Sequence, residues 1–231
     1  MRKPIIVMMT DDAFMTDYTI LYDEMRKRGM FGTCYVIGDR PGTSFRKGRY
    51  MDWAKIKKMH ELGWDMQCHS FTHQQMASFT EEQLRYEMES TNQAFLDNGL
   101  PLPKHHAFPF GSHSQLTRDI VREYRLTVRD TGFVTSQRNR YQDVQHGYLK
   151  GMRADILDEG YFNTVKETID ITKANNDVLT LYHHEIVDGT GEYMVKHEYL
   201  IRLLDYIEES GIEVMTLSKA YDFVLDVLSK E

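Results

Sequence analysis

The sequence predicts an α/β fold, a single-domain distorted (β/α) barrel of seven or eight parallel strands over residues 1–231. Three observations lead there. Strand-like and helix-like segments alternate through most of the chain, the order that parallel strands joined by helical crossovers require. The number of such units suits a closed barrel better than an open sheet. Residues able to bind metal or move protons fall at the C-terminal ends of the strand segments, where parallel barrels gather their chemistry.

The elements follow in order. Pro4 to Thr10 is an apolar strand, Asp17 to Arg28 a helix closed by Gly29, and Gly32 to Ile37 a strand. Met51 to Leu62 is a helix ended by Gly63, and Trp64 to Cys68 is the third strand. Thr80-Glu81-Glu82-Gln83 is a capping box that opens a long helix stopping near Asn98-Gly99. His105 to Phe108 is a strand before Pro109, Leu116 to Tyr124 a helix, and Leu126 to Arg129 a short strand. Tyr148 to Arg153 is a strand, Tyr161 to Ala174 a helix, and Val178 to His183 the seventh strand. Lys196 to Ser210 is helical, Glu213 to Met215 extended, and Ser218 to Leu228 a final helix. No repeat, low-complexity tract or Pro/Gly/Ser-rich linker divides the chain.

Composition narrows the function. At 41% hydrophobic and 27% charged residues the chain is globular rather than disordered. A formal net charge of -7 argues against a nucleic-acid groove and against an anionic membrane surface. No apolar stretch approaches the length of a membrane span. Met1-Arg2-Lys3 before the apolar run Ile5 to Met9 is too short for an export signal and lacks a small-residue cleavage site, so a cytoplasmic location is expected.

Two motifs carry the chemistry. His69-Ser70-Phe71-Thr72-His73 sets two histidines four residues apart, and one helical turn would put both imidazoles on one side. Such a pair is a half-site for Zn²⁺ or a similar ion. Asp11-Asp12 closes the first strand, and adjacent carboxylates persist there when they bind a cation or supply a base. Further along, Pro109-Phe110-Gly111 follows the fourth strand, Arg129-Asp130 ends the fifth, and His183-His184 ends the seventh.

In these motifs the chain resembles the polysaccharide deacetylases of carbohydrate esterase family 4. Met9-Thr10-Asp11-Asp12-Ala13 is similar to the family's T-F-D-D-G. His69 to His73 matches its H-[ST]-x-x-H, and Ala107-Phe108-Pro109-Phe110-Gly111 is similar to its R-x-P-[YF]-G. Leu181-Tyr182-His183, or Tyr182-His183-His184 one step on, is similar to its closing leucine and histidine. Ala107 stands where the third motif often carries an arginine that holds the catalytic aspartate, and no clear counterpart of the fourth motif's aspartate with a nearby tryptophan is found.

The resemblance implies one divalent metal ion, Zn²⁺ first and Co²⁺ or Ni²⁺ next, held by Asp12, His69 and His73. Asp11 would be the general base toward the attacking water. The Phe110 N–H, set by Pro109 and Gly111, would steady the oxyanion. His184 would protonate the leaving group, with His183 the alternative, since alternation along a strand lets only one face the mouth. Arg129 is the candidate replacement for the missing arginine, reaching Asp11 as a bidentate pair. Its other reading is an exposed strand-end charge.

The remaining residues read as structure. Cys34 and Cys68 are buried apolar fillers, and Cys68 faces away from His69. His105 and His106 pack one inside and one outside, and His113 is solvated. Met8, Met9 and Met25 are packing residues. The substrate class implied is an N- or O-acetylated carbohydrate. The alternatives are an amidohydrolase of the same fold on a small non-sugar amide, or a carbohydrate-binding relative without turnover.

Overall fold

The computed structural model describes residues 1–45, 48–189 and 191–231. Seven parallel strands form the barrel: β1 (Ile5–Asp11), β2 (Thr33–Val36), β3 (Asp65–Cys68), β4 (His105–Ala107), β5 (Thr127–Gly132), β6 (Tyr148–Arg153) and β7 (Val178–His183). Each pairs with the next, and β7 returns to β1 along the full register from Ile5 opposite Val178 to Thr10 opposite His183, so the sheet closes. The other edge of β1 is shared. Met9 to Asp11 pair with β2, while Ile5 and Ile6 pair with a two-residue strand, β8 (Glu213–Val214). That division makes the barrel distorted, with β8 wedged into its lower part.

Among the described residues, eight α-helices accompany the strands: α1 (Tyr22–Lys27), α2 (Trp53–Glu61), α3 (Glu81–Asp97), α4 (Gln115–Tyr124), α5 (Tyr141–His146), α6 (Glu159–Asn175), α7 (His197–Ser210) and α8 (Leu217–Leu228). The expected helix from Asp17 begins as a π-helical turn over Asp17–Leu21 before α1 takes over. The Thr80 capping box forms as read, its hydroxyl accepting from Gln83 N–H and the Gln83 side chain accepting from Thr80 N–H at 2.8 Å. Helix α5 has no counterpart in the sequence reading.

Alternation along β1 divides the core. Ile5, Val7 and Met9 face inward with Tyr35, Leu149 and Tyr182, while Ile6 and Met8 face outward under α1, α2, α6 and α7. All seven residues of β1 are buried, as a parallel strand covered on both faces must be. Each buried aliphatic side chain in these layers contributes about 1.5–3 kcal/mol. Helix α8 closes the barrel at the strands' N-terminal ends. Leu217 N–H donates to Thr33 Oγ1 at 2.8 Å, and Ser218 N–H to Asp65 Oδ2 at 2.9 Å. The opposite end, where the strands finish, stays open.

Two small strand pairs rise beside the open end. Ser44–Phe45 pairs antiparallel with Gly48–Arg49, and Glu185–Val187 pairs parallel with Met194–Lys196. Neither was read from the sequence. Cys34 and Cys68 are free and buried, as expected.

Candidate active site

The strand ends deliver their side chains into one cavity of about 560 Å³, within the ~300–1,000 Å³ span of small-molecule sites. Asp11, Asp12, His69, His73, Phe110 and His184 all line it. Arg129 lies beneath Asp11, while Pro109 is buried and Gly111 sits behind the wall, so neither of those two faces the cavity.

Asp12 follows β1 with φ 75°, and Ala13 with φ 60°. Left-handed backbone costs a side-chain-bearing residue about 1–2 kcal/mol, which explains why a glycine is expected at position 13. The turn swings the Asp12 carboxylate over the end of β1 instead of letting it continue outward. The His69–His73 segment departs from expectation. It is a loop, not a helical turn, with Ser70 at φ 62° and His73 at φ 57°. The cause is Glu87, a buried carboxylate on α3 that accepts from Phe71 N–H at 2.7 Å, Thr72 N–H at 2.9 Å and the Thr72 hydroxyl at 2.5 Å. Ser70 Oγ accepts from His73 N–H at 3.0 Å. Local side-chain bonds of this kind hold a loop against helix formation.

Despite the different backbone, the imidazoles converge. His69 Nε2 lies 3.5 Å and His73 Nε2 3.3 Å from Asp12 Oδ1. Ligands about 2.0–2.1 Å from a tetrahedral ion stand roughly 3.3 Å apart, so the three atoms fit one divalent cation. His69 Nδ1–H donates to the Ala107 carbonyl at 2.8 Å. A carbonyl only accepts, so this bond leaves the Nε2 lone pair facing Asp12. Burial, reinforced by His69, lowers the His73 pKa to about 3, keeping it a neutral donor. Burial raises Asp12 despite His184 and His69 nearby, the condition of a carboxylate placed to meet a cation. Asp12, His69 and His73 are the one such cluster among the described residues.

Asp11 is buried below this cluster. Arg129 Nη2 donates to Oδ1 at 2.6 Å and to Oδ2 at 2.5 Å, with one nitrogen serving both oxygens rather than a two-pronged fork. Arg129 is fully buried, not a strand-end charge, because β5 runs on to Gly132. Its guanidinium lies 4.0 Å from the Tyr182 ring centre and 5.3 Å from that of Tyr35. Burial alone would raise Asp11, but the Arg129 charge, with His69 and His184, holds it below the usual carboxylate range. Ala107 and Arg129 are register partners across β4 and β5, so the arginine comes from the neighbouring strand at the same height.

Of the histidine pair, His184 faces the cavity. His183 turns outward, is fully buried, and donates from Nδ1 to the His184 carbonyl at 2.8 Å. The residue missed by sequence reading is Asp155. It accepts from His184 Nδ1 at 2.7 Å and His184 N–H at 2.8 Å, and Arg153 Nε holds it at 2.5 Å. Burial would push His184 down, but the Asp155 charge and hydrogen bond carry it up to about 9. Asp155 lies two residues past β6, in step with the other strand ends, and that position was its only signal. Phe110 sits at φ 58° with its ring 4.7 Å from His73. His113 is not solvated. It packs 4.7 Å from Phe108 and 3.7 Å from Asp130. His105 and His106 divide as expected, toward Thr127 and Ser218 and toward Cys68 respectively.

Comparison with known proteins gives this arrangement a context. Residues 1–129, more than half of the chain, match the profile of the polysaccharide deacetylase family. No curated protein matches the sequence. Among solved structures, a family 4 acetyl xylan esterase from Clostridium thermocellum in complex with a cobalt ion is 18% identical, covering 95% of this chain and 91% of its own with a TM-score of 0.61. A family 4 carbohydrate esterase from Streptomyces lividans in complex with acetate is 15% identical, covering 91% and 88% with a TM-score of 0.56. A CE4-family pseudoenzyme from Bacillus anthracis is 13% identical, covering 95% and 66% with a TM-score of 0.62. At these identities the likeness is one of fold.

Proposed function

The chain belongs to the polysaccharide deacetylase family, and from that premise we propose that it is a metal-dependent hydrolase removing acetyl groups from an N- or O-acetylated carbohydrate. The observation that carries the reading is that Asp11, the Asp12–His69–His73 cluster and His184, whose pKa Asp155 raises, line one cavity. Asp12, His69 and His73 would hold a divalent cation, Zn²⁺ for this one-carboxylate, two-imidazole set, with Co²⁺ or Ni²⁺ as substitutes. When bound, that ion would polarise the acyl carbonyl and acidify the attacking water.

The chain's own residues supply the rest. Asp11, kept ionised by Arg129, accepts the proton of the attacking water. The Phe110 N–H donates to the oxyanion as the carbonyl carbon becomes tetrahedral. His184, whose proton the Asp155 carboxylate favours, gives it to the departing amine or alkoxide as the bond to the carbonyl carbon breaks. Acetate leaves with the oxygen that came from water. No described helix is long and apolar enough to cross a membrane.

The test is acetate release from acetylated oligosaccharides, with and without added Zn²⁺ or Co²⁺, together with elemental analysis. Metal-stimulated release and about one ion per chain are expected, as a single mononuclear site implies. No release from any acetylated sugar, with metal supplied, would refute the proposal.

A further inference from the structure

The geometry points to a substrate site that is a closed well, so the enzyme acts on a terminal acetylated sugar unit and not on units inside a chain. This inference rests on the proposed function. It follows from contacts that run unbroken around the cavity.

On one side Phe14 bridges to Tyr50, their rings stacked at 5.1 Å. Beside them Gly48 lies so close to Glu185 that a methyl group there would run into the carboxylate. Glu185 pairs with Met194, which joins the wall to the second small strand pair. Tyr193 then covers the far end, 5.1 Å from the His184 ring and 4.7 Å from the Arg153 guanidinium. Arg153 reaches on to Phe133, 5.3 Å away.

The opposite side is equally tight. Gly111 packs on Thr131, where an added methyl group would lie 2.6 Å from the hydroxyl, and the neighbouring Phe110 ring lies tilted against His73, 4.7 Å away. Arg40 closes the last gap, donating to the Thr72 carbonyl at 3.4 Å. The Arg40 carbonyl accepts from the Thr43 hydroxyl at 2.7 Å, and the Thr43 carbonyl accepts from Tyr50 N–H at 3.1 Å, returning to the start. A groove for a through-running polymer needs two opposite openings in this ring, and each step around it among the described residues is a contact or a short run of chain.

The rim shows how the rest of a chain would leave. Phe110 and Phe133 are 51% and 53% exposed, apolar rings at the lip suited to stacking on a second sugar. One unit sits in the well, a second lies on the lip, and later units extend into solvent.

The probes are N-acetylglucosamine oligomers of one to six units and O-acetylated xylo-oligosaccharides, assayed with Zn²⁺ or Co²⁺ present. Acetate release is measured for rate, and the position of the deacetylated unit is mapped by fragmentation mass spectrometry. A well with one lip predicts that kcat/KM rises from one unit to two and then stays level, with acetate lost only from one chain end. A groove with several subsites gains binding with each unit, and every ~1.4 kcal/mol of that gain is tenfold in kcat/KM. Release from internal units, or kcat/KM still climbing beyond two units, would overturn the inference and leave the proposed function standing. No release at any length would overturn both.

Discussion

The floor and the mouth of the barrel both carry buried histidine and carboxylate networks, yet they differ in where the polar atoms point. On the floor, His105 bonds Thr127 Oγ1 at 2.9 Å through Nδ1 and Ser218 Oγ at 3.1 Å through Nε2. Asp65 takes the Ser218 and Gln67 donors, and Gln67 Oε1 takes the backbone N–H groups of Lys104 and His105. At the mouth, His69 fixes one nitrogen on the Ala107 carbonyl and turns the other toward Asp12, whose buried Oδ1 has no hydrogen-bond donor among the described residues. The same residue types therefore do two different things. Where every polar atom is matched within the protein they tie the fold, and where atoms are left converging on a space they offer a site.

The contrast is sharpest for activity. Asp12→Ala and His69→Ala should abolish metal retention and lower kcat/KM roughly 10⁴-fold, the several kcal/mol a polarising cation supplies. Elemental analysis beside initial rates checks this. A mouth variant that kept both its metal and its rate would break the comparison. Asp11→Asn comes next. It should cost roughly 10²- to 10⁴-fold in kcat while metal content holds, since in the proposed mechanism Asp11 is the proton acceptor and not a ligand.

Arg129→Met tests a mouth residue whose buried guanidinium is paired with another side chain. Breaking a buried pair leaves a charge uncompensated, so urea unfolding should show a loss of about 3–5 kcal/mol. Asp11 would lose the charge that holds its pKa down, so the acidic limb of the pH–rate profile should move upward. His105→Leu on the floor should cost about 1–3 kcal/mol through the stranded hydroxyls of Thr127 and Ser218, with kcat within roughly twofold of wild type.

The smallest effect separates the two histidines by pH in the metal-free protein. His184 sits at about 9 when folded, above its unfolded value of 6.5, so its contribution is complete below pH 6.5 and is lost as pH rises through 9. Burial lowers His105 to about 4, so its contribution is present above pH 6.5 and is lost as pH falls through 4. Thermal unfolding across pH 4–9 should therefore lose its alkaline slope in His184→Gln and part of its acidic slope in His105→Leu. An unchanged alkaline slope in His184→Gln would show that the Asp155 pair does not hold the proton.

Much of this was legible in the sequence, and the misses share a cause. Long periodic segments declared themselves, and β6 and β7 have the very bounds their apolar patterns give. The candidate site residues stood out because strand ends in a parallel barrel share one rim. The loop conformation of His69 to His73 was hidden because Glu87, sixteen residues beyond Phe71, decides it. Asp155 and the true depth of Arg129 were hidden for a similar reason. A lone aspartate in Arg153-Ala154-Asp155 says nothing until His184 is folded against it, and Arg129 looked terminal because Asp130 and Thr131 do not read as strand.

The register of Ala107 with Arg129 reaches beyond this chain. In a parallel barrel, a side chain's address is its storey, and the seven strands are doors opening onto the same landing. A guanidinium delivered through the next door meets the same carboxylate. Motifs defined along a single strand record which door was used. A comparison that reads barrels storey by storey, across strands, would recognise chains such as this one where a strand-local pattern registers only an alanine.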